Sequence, residues 1–299
     1  MKVSKPKIIV VLGPTATGKS DIAVKIARKF NGEIISADSR QVFKGMDLGS
    51  GKITKKEMLG IPHHLLDIAE PKTLFSVSKY KQLAEKEIEK ILEKNKTPII
   101  CGGTGFYIDS IVKNITLPEV KLNKKLRQKL EKQSTEKLFE TLKKLSPTRA
   151  KTIDKHNKVR LIRAIEIAKA LGDVPEIKEN PSKYDFVFIG LDTKDEILKK
   201  RIEKRLLKRI ELGMINEIRK LHKNGVSWKR LESFGLEYRE IAKYLQAKIS
   251  KAQMIENLKN DIWHFVKRQR TWFKRNKDIR WFQPKEISVI LKQVKNFIK

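Results

Sequence analysis

Cysteine is almost missing from this chain: among 299 residues there is one, Cys101. A disulfide framework is therefore impossible, and a thiolate metal cluster is excluded with it. No apolar run approaches the length of a membrane span, and the early stretch "KIIVVL" is too short for the hydrophobic region of a signal peptide. Long Gly/Ser or Pro-rich linkers and internal repeats are absent as well. A cytoplasmic protein with no membrane partner is expected. Acidic residues are scarce: 35 Asp and Glu stand against 67 Lys and Arg, a net charge of +32. A field of that sign draws polyanions. Nucleic acid is favoured over an anionic membrane, because no basic amphipathic anchor stands out.

What the chain does have is a sizeable core, with 39% hydrophobic residues, and length for one large domain or a core carrying an insertion. Apolar strands alternate with helical patterns at first. "KIIVVLG", "EIISAD", "HHLLDI" and "TPIICGG" read as strands, with helices over about Lys19–Phe30, in "SVSKYKQLAEKEIEKILEKN" and in "GFYIDSIV". That alternation predicts an α/β fold, a mostly parallel sheet flanked by helices. Near Leu117 the pattern turns helical and basic until about Leu171, and "DFVFIGLD" then returns to strand. The expected organisation is a core over 1–117, an inserted helical subdomain over 118–183, and the second part of the core over 184–299 with long basic helices. "IRWF" is a candidate last strand. In "EILKKRIEKRLLKRIELGMINEIRKL", Leu198, Ile202, Leu206 and Ile210 form one apolar stripe, with Arg201 and Arg205 one turn apart on an adjacent face.

Gly13-Pro14-Thr15-Ala16-Thr17-Gly18-Lys19-Ser20 fits G-x-x-x-x-G-K-[ST] in full, between a strand and a helix. In such a turn the glycines let backbone N–H groups converge on a diphosphate at a helix N-terminus. Lys19 then reaches the terminal phosphate and Ser20 is placed to ligate Mg²⁺. The motif predicts a bound di- or triphosphate and does not say which. Asp38 closes the second strand, at the edge where ligands sit in an open parallel sheet. Taken alone it is a ligand-edge carboxylate, a Mg²⁺ ligand, or a helix cap or turn former.

Together with "GPTATGKS", the stretches "ISADSRQVFKGMDLGSGK", "PHHLLDI", "FSVSKY", "CGGTGFYI", "NKVRLIRAIEI", "RIEKR", "GLEYRE" and "KRQRTWFKRN" resemble the tRNA dimethylallyltransferases, also called tRNA isopentenyltransferases, nearly end to end. The resemblance implies a P-loop NTPase-like core with an inserted helical tRNA-binding subdomain. It implies transfer of a dimethylallyl group to N6 of the adenosine just 3′ of the anticodon, position 37. The P-loop would then hold dimethylallyl diphosphate with Mg²⁺ rather than ATP. Asp38 is implied as general base, with Lys19, Thr104 and Arg205 as its diphosphate-side partners. Asp38, Ser39, Arg40 and Gln41, with Thr104, are implied at the adenosine. Arg127, Val159, Arg160, Leu161, Ile162, Arg163, Arg239, Lys267, Arg268, Gln269, Arg270, Trp272 and Lys274 are implied as tRNA contacts, and a monomer is expected. Val159 stands where the family usually has Gln, "GLEYRE" where it has a shorter "GYKE"-like motif, and "GSGKI" where it has "GTAKP". The zinc finger of eukaryotic members is absent, as a single cysteine requires.

Adjacent His63 and His64 on a strand point to opposite faces, a poor metal pair, so both are expected to be structural. Trp263 and Trp281 are expected in the core, and Trp272 among its cations is the one candidate for stacking on a base. Rival readings are a P-loop kinase of a nucleoside or small metabolite, an isopentenyltransferase of free adenine nucleotides, and a non-catalytic RNA-binding protein. None of the three accounts for both the large cationic surface and the complete phosphate turn.

Overall fold

The computed structural model describes residues 5–299, so the first four positions of the expected 1–117 segment lie outside it. The chain divides into two compact units: residues through Lys113 together with Ser182–Lys299, and Asn114–Pro181.

The first unit opens with β1 (Lys7–Leu12), α1 (Lys19–Lys29), β2 (Gly32–Ala37), α2 (Lys55–Met58), β3 (His63–His64), α3 (Val77–Glu93), β4 (Thr97–Gly102) and α4 (Gly105–Val112). The second unit is helical: α5 (Lys124–Glu131), α6 (Thr135–Leu145), α7 (Pro147–Thr152) and α8 (Lys158–Leu171). The chain then returns to the first unit with β5 (Asp185–Leu191), α9 (Asp195–Glu211), α10 (Met214–Lys223), α11 (Trp228–Phe234) and α12 (Leu236–Leu245). It closes with α13 (Lys251–Phe273), β6 (Arg280–Phe282) and α14 (Ile287–Ile298).

The strands form one sheet in the order β3-β2-β4-β1-β5-β6, with every pairing parallel. Sequential parallel pairing is interrupted between β2 and β1, where β4 is inserted. That reversal places the turns after β1, β2 and β4 side by side at one edge of the sheet. β1 has helices on both faces, so its run of Ile and Val is buried throughout, as parallel central strands require. "HHLLDI" contributes only two residues of strand, because the chain turns away at Leu65, whose φ is +63°. The long basic segment after Asp192 is broken at Gly213 (φ +99°) into α9 and α10. Among the described residues no helix is long and apolar enough to cross a membrane.

Helix phase follows burial. α3 buries Tyr80, Ala84, Ile88 and Ile91, and α9 buries Leu198, Ile202 and Leu206, with Ile210 half-buried. His64 is held between Glu33 (2.7 Å) and Glu87 (3.2 Å), and His63 Nδ1 is 2.8 Å from the Ile61 carbonyl, so both histidines tie down the edge strand. Trp263 packs half-buried on the core of the first unit, but Trp281 is 40% exposed on the edge strand β6, outside the core expected for it.

Candidate active site

The phosphate turn is shaped by close approach. A side chain on Gly13 would place its Cβ 2.2 Å from the Leu191 carbonyl oxygen, so only glycine lets β1 end against β5. Gly18 (φ +86°) begins α1 and supplies no side-chain cap. By contrast Ser76, Asn123, Ser134, Asn157, Ser227 and Ser250 each cap their own helix with a side-chain oxygen. The first amides of α1 therefore have no side-chain partner, as at several other helices, and here they open onto the cleft. Thr17 Oγ1 and Lys19 Nζ both donate to the Pro14 carbonyl, at 2.9 and 2.6 Å, which folds the lysine back over its own turn. Two members of the expected diphosphate set do not donate amides to a ligand. Pro14 has no N–H, and the Thr15 N–H is committed to Gln269 Oε1 at 2.9 Å.

The turn after β2 is organised by Asp38, whose Oδ1 accepts from the N–H groups of Arg40 (2.8 Å) and Gln41 (3.3 Å). The turn-forming role is therefore real, and it aims the carboxylate at the same time. Thr104 closes β4. Its N–H donates to the Ala37 carbonyl (3.1 Å), and its Oγ1 accepts from the Ser39 N–H (3.0 Å), locking the second and third turns together. Arg40 donates through Nε to the Phe234 carbonyl (2.8 Å) and lies over that ring.

These turns line one cleft of about 1010 Å³ within the first unit, with Thr15–Ser20, Asp38–Gln41, Thr104, Arg205, Arg239, Arg268 and Gln269 among its walls. Its cationic side is α9. Arg205 is solvent-accessible but surrounded by enough protein that desolvation, with the like charge of Arg209 beside it, lowers its guanidinium pKa. It makes no ion pair among the described residues. Burial brings the Lys19 ammonium from 10.5 down to about 8, with Arg205 adding to the fall. Burial likewise pushes the Cys101 thiol, at the end of β4, up to about 12, so this cysteine is inert.

A frame not visible as a motif supports this wall. The Glu217 carboxylate accepts from three consecutive N–H groups, those of Asp47, Leu48 and Gly49, at 3.0, 2.6 and 2.9 Å. Arg209 Nη1 holds the Leu48 and Gly49 carbonyls at 3.0 and 3.2 Å, and its Nη2 pairs with Glu237. The "DLGSGK" loop is thus fixed from both polar sides. Gly49 is required because a Cβ there would lie 2.5 Å from the Tyr238 ring.

The candidate tRNA residues divide by burial. Lys267 and Arg268 on α13, and Lys274 just past its end, are exposed. Gln269 is buried, Arg270 is paired with Asp192 and Asp195, and the Trp272 indole N–H donates to Asp109 at 3.0 Å. The last three are tied to the core by these bonds, and Trp272, half-buried, also has Arg275 over its ring and Phe106 edge-on to it. Arg239 is paired with Asp261 and Glu240. In the helical unit, Val159 and Arg160 are exposed, whereas Leu161 (0% exposed) and Ile162 (6%) are core residues whose side chains cannot reach RNA. Arg127 and Arg163 converge on Glu166. Burial would raise the Glu166 pKa, but bonds from Arg127, the Asn123 N–H and Arg163 override it and hold the carboxyl at about 2.

Among the described residues no group of three or more His, Cys, Asp or Glu is placed to hold a metal. Ser20, on the first turn of α1, is the side chain that would hold a Mg²⁺ arriving with a phosphate ligand and its own waters. The cleft residues do not fit an all-protein cage.

The sequence model of a family described as IPP transferase matches residues 41–276. The tRNA dimethylallyltransferase 1 of Syntrophus aciditrophicus is 39% identical, with 98% of each chain covered. The tRNA dimethylallyltransferase 2 of Treponema denticola is 45% identical over 91% of this chain and 92% of its own. Among solved structures, the full-length tRNA isopentenylpyrophosphate transferase of Bacillus halodurans superposes with a TM-score of 0.75 at 34% identity, covering 98% and 97% of the two chains. A eukaryotic dimethylallyltransferase acting on tRNA gives 0.81 at 27% identity, covering 97% of this chain and 77% of its own.

Proposed function

This chain belongs to the IPP transferase family, and on that premise we propose how its cleft works. It transfers a dimethylallyl group from dimethylallyl diphosphate to N6 of the adenosine 3′-adjacent to the anticodon of tRNA, releasing diphosphate. The observation that carries the reading is the shared cleft: a phosphate turn, a carboxylate at the end of β2, Thr104 and an unpaired arginine all line it.

The exocyclic amine of adenine is a weak nucleophile and must lose a proton as the C–N bond forms. Asp38, oriented through Oδ1, accepts that proton. The allylic C–O bond breaks as the N6–C bond forms, and the negative charge passes to the leaving diphosphate. The α1 amides and Arg205 face the place where that charge develops, which makes their stabilisation effective. Lys19 moves from the Pro14 carbonyl to the diphosphate. Ser20 would hold a Mg²⁺ brought in with the donor, and that ion would supply further positive charge against the leaving diphosphate. Thr104 ties the turn that bears Asp38 to the end of β4 and so fixes the base against the phosphate turn. The target adenosine lies in a loop that is already single-stranded, so moving it out of the stack costs little. Exposed cations of α13 and, in the helical unit, Arg160 with the outer edges of Arg127 and Arg163, supply the RNA contacts. The reading takes the enzyme to be monomeric and cytoplasmic.

The test is mass analysis of unmodified tRNA incubated with the protein, Mg²⁺ and dimethylallyl diphosphate. The expected product carries one dimethylallyl group on the adenosine after the anticodon. An unchanged tRNA, together with phosphorylation of a small molecule by ATP, would overturn the reading.

A further inference from the structure

The inner stripe of α13 is Met254, Leu258, Ile262, Val266, Gln269 and Phe273, and five of its six members are apolar. Gln269 is 5% exposed. An amide in such a position costs stability unless both its ends are bonded. Both are: Oε1 accepts from the Thr15 N–H and Nε2 donates to the Gly103 carbonyl, each at 2.9 Å. One side chain thus joins the phosphate turn to the turn that carries Thr104. The "GGTG" turn is moulded around the same helix. A Cβ on Gly103 would lie 2.3 Å from Gln269 Nε2, and one on Gly105 would lie 2.2 Å from the Trp272 ring. Two motifs more than 160 residues apart in sequence are therefore complementary surfaces of one joint.

We infer that Gln269 is a positioning residue for the diphosphate site: it sets the phosphate turn against the Thr104 turn, and it is not an RNA contact. This deepens the transferase reading and rests on it for the identity of the donor. It follows that α13 faces two ways. Its outer cations, Lys267 and Arg268, are open to RNA, while its inner amide holds the turn that binds the leaving group.

The decisive measurement is calorimetric binding of inorganic pyrophosphate with Mg²⁺, which requires neither RNA nor turnover. Binding of an anticodon stem-loop is measured separately. Gln269→Met, which keeps the volume and removes both bonds, is expected to weaken pyrophosphate about tenfold, the loss of one or two net hydrogen bonds. Stem-loop affinity without pyrophosphate should stay within about twofold. In turnover the donor KM should rise while the tRNA KM is unchanged. Gly103→Ala strikes the joint from its other side and should give the same pyrophosphate loss. The double variant should lose no more than either single one, because both break the same contact. Should Gln269→Met fail to fold, Gly103→Ala decides alone. Wild-type pyrophosphate affinity in either variant overturns the inference, and so does a loss confined to the stem-loop. If the unaltered protein transfers nothing to tRNA, the transferase reading fails, and the pyrophosphate arm still judges Gln269.

Discussion

Arg127 and Arg163 in the helical unit close on the buried carboxylate of Glu166, whereas Arg205 in the cleft stands beside Arg209 with no carboxylate in ion-pair contact. In the helical unit cation and anion arrive together from one sequence. The pair is satisfied internally, and its consequence is a fixed helix packing. In the cleft Arg209 is matched by Glu237 and two loop carbonyls, whereas Arg205 beside it is partly desolvated with no carboxylate in ion-pair contact, an arrangement that favours a bound anion. Matched charge therefore marks architecture here, and unmatched charge marks the place left for a ligand.

The largest effect should come from breaking the unmatched set. Arg205→Ala is expected to lower the single-turnover rate by roughly 10²–10³, a typical loss for one preorganised donor at a developing anion. Its melting temperature should stay level or rise, since a like-charge neighbour of Arg209 is removed. Asp38→Asn should cost roughly 10² through loss of the proton acceptor, with pyrophosphate affinity nearly unchanged. A stability loss in Arg205→Ala without a rate loss would place this arginine in the same class as Arg127.

Breaking the matched set should have the opposite signature. Glu166→Gln leaves two arginines around an uncharged amide and is expected to destabilise the protein by about 3 kcal/mol, as removal of one buried partner does. The single-turnover rate at saturating tRNA should hold. The sign with pH is fixed by the direction of the shift. The Glu166 carboxyl is depressed in the fold from 4.5 to about 2, so its contribution is complete above the ordinary value and is lost as pH falls toward 2. Chemical denaturation of the two proteins should therefore differ at neutral pH and converge as pH is lowered. A gap that persists into strong acid would mean that the charge of Glu166 does not carry the effect.

The same contrast explains what could be read from sequence. The phosphate turn was legible because its residues are contiguous and its strand and helix flank it. Asp38 was legible because the end of a strand in a parallel sheet is a defined place. The "KRQRTW" run was not, because on a helix a contiguous run necessarily presents both faces. Gln269 faces inward although its neighbour Arg268 faces solvent, and only the phase of Ile262, Val266 and Phe273 reveals it. A polar residue on an apolar stripe was the available signal. The same phase shows Leu161 and Ile162 to be core and not contacts. The Glu217 and Arg209 frame was illegible for a different reason: its partners lie some 160 residues away in the chain, and no local pattern encodes that meeting.

The smallest predicted effect tests whether an incomplete cleft behaves as one. Lys19 is held at about 8 by burial, with Arg205 adding to the fall. A bound diphosphate supplies the missing negative charge and raises that pKa, so the complex holds one more proton than the free enzyme at alkaline pH. Affinity for pyrophosphate should accordingly be flat below about pH 8 and weaken above it, by at most about tenfold per pH unit. The measurement is made with Mg²⁺ in excess, which displaces the last proton of pyrophosphate and keeps the ligand's own titration out of this range. Lys19→Arg keeps a cation that does not titrate in this range and should bind with little pH dependence, even if geometry makes it weaker overall. Lys19→Met should lose affinity and slope together. A slope that survives in Lys19→Arg would assign the titration to another group and leave Lys19 charged throughout. That outcome would remove the one titratable sign of the cleft's unmatched charge and leave Arg205 alone to carry the contrast with Glu166.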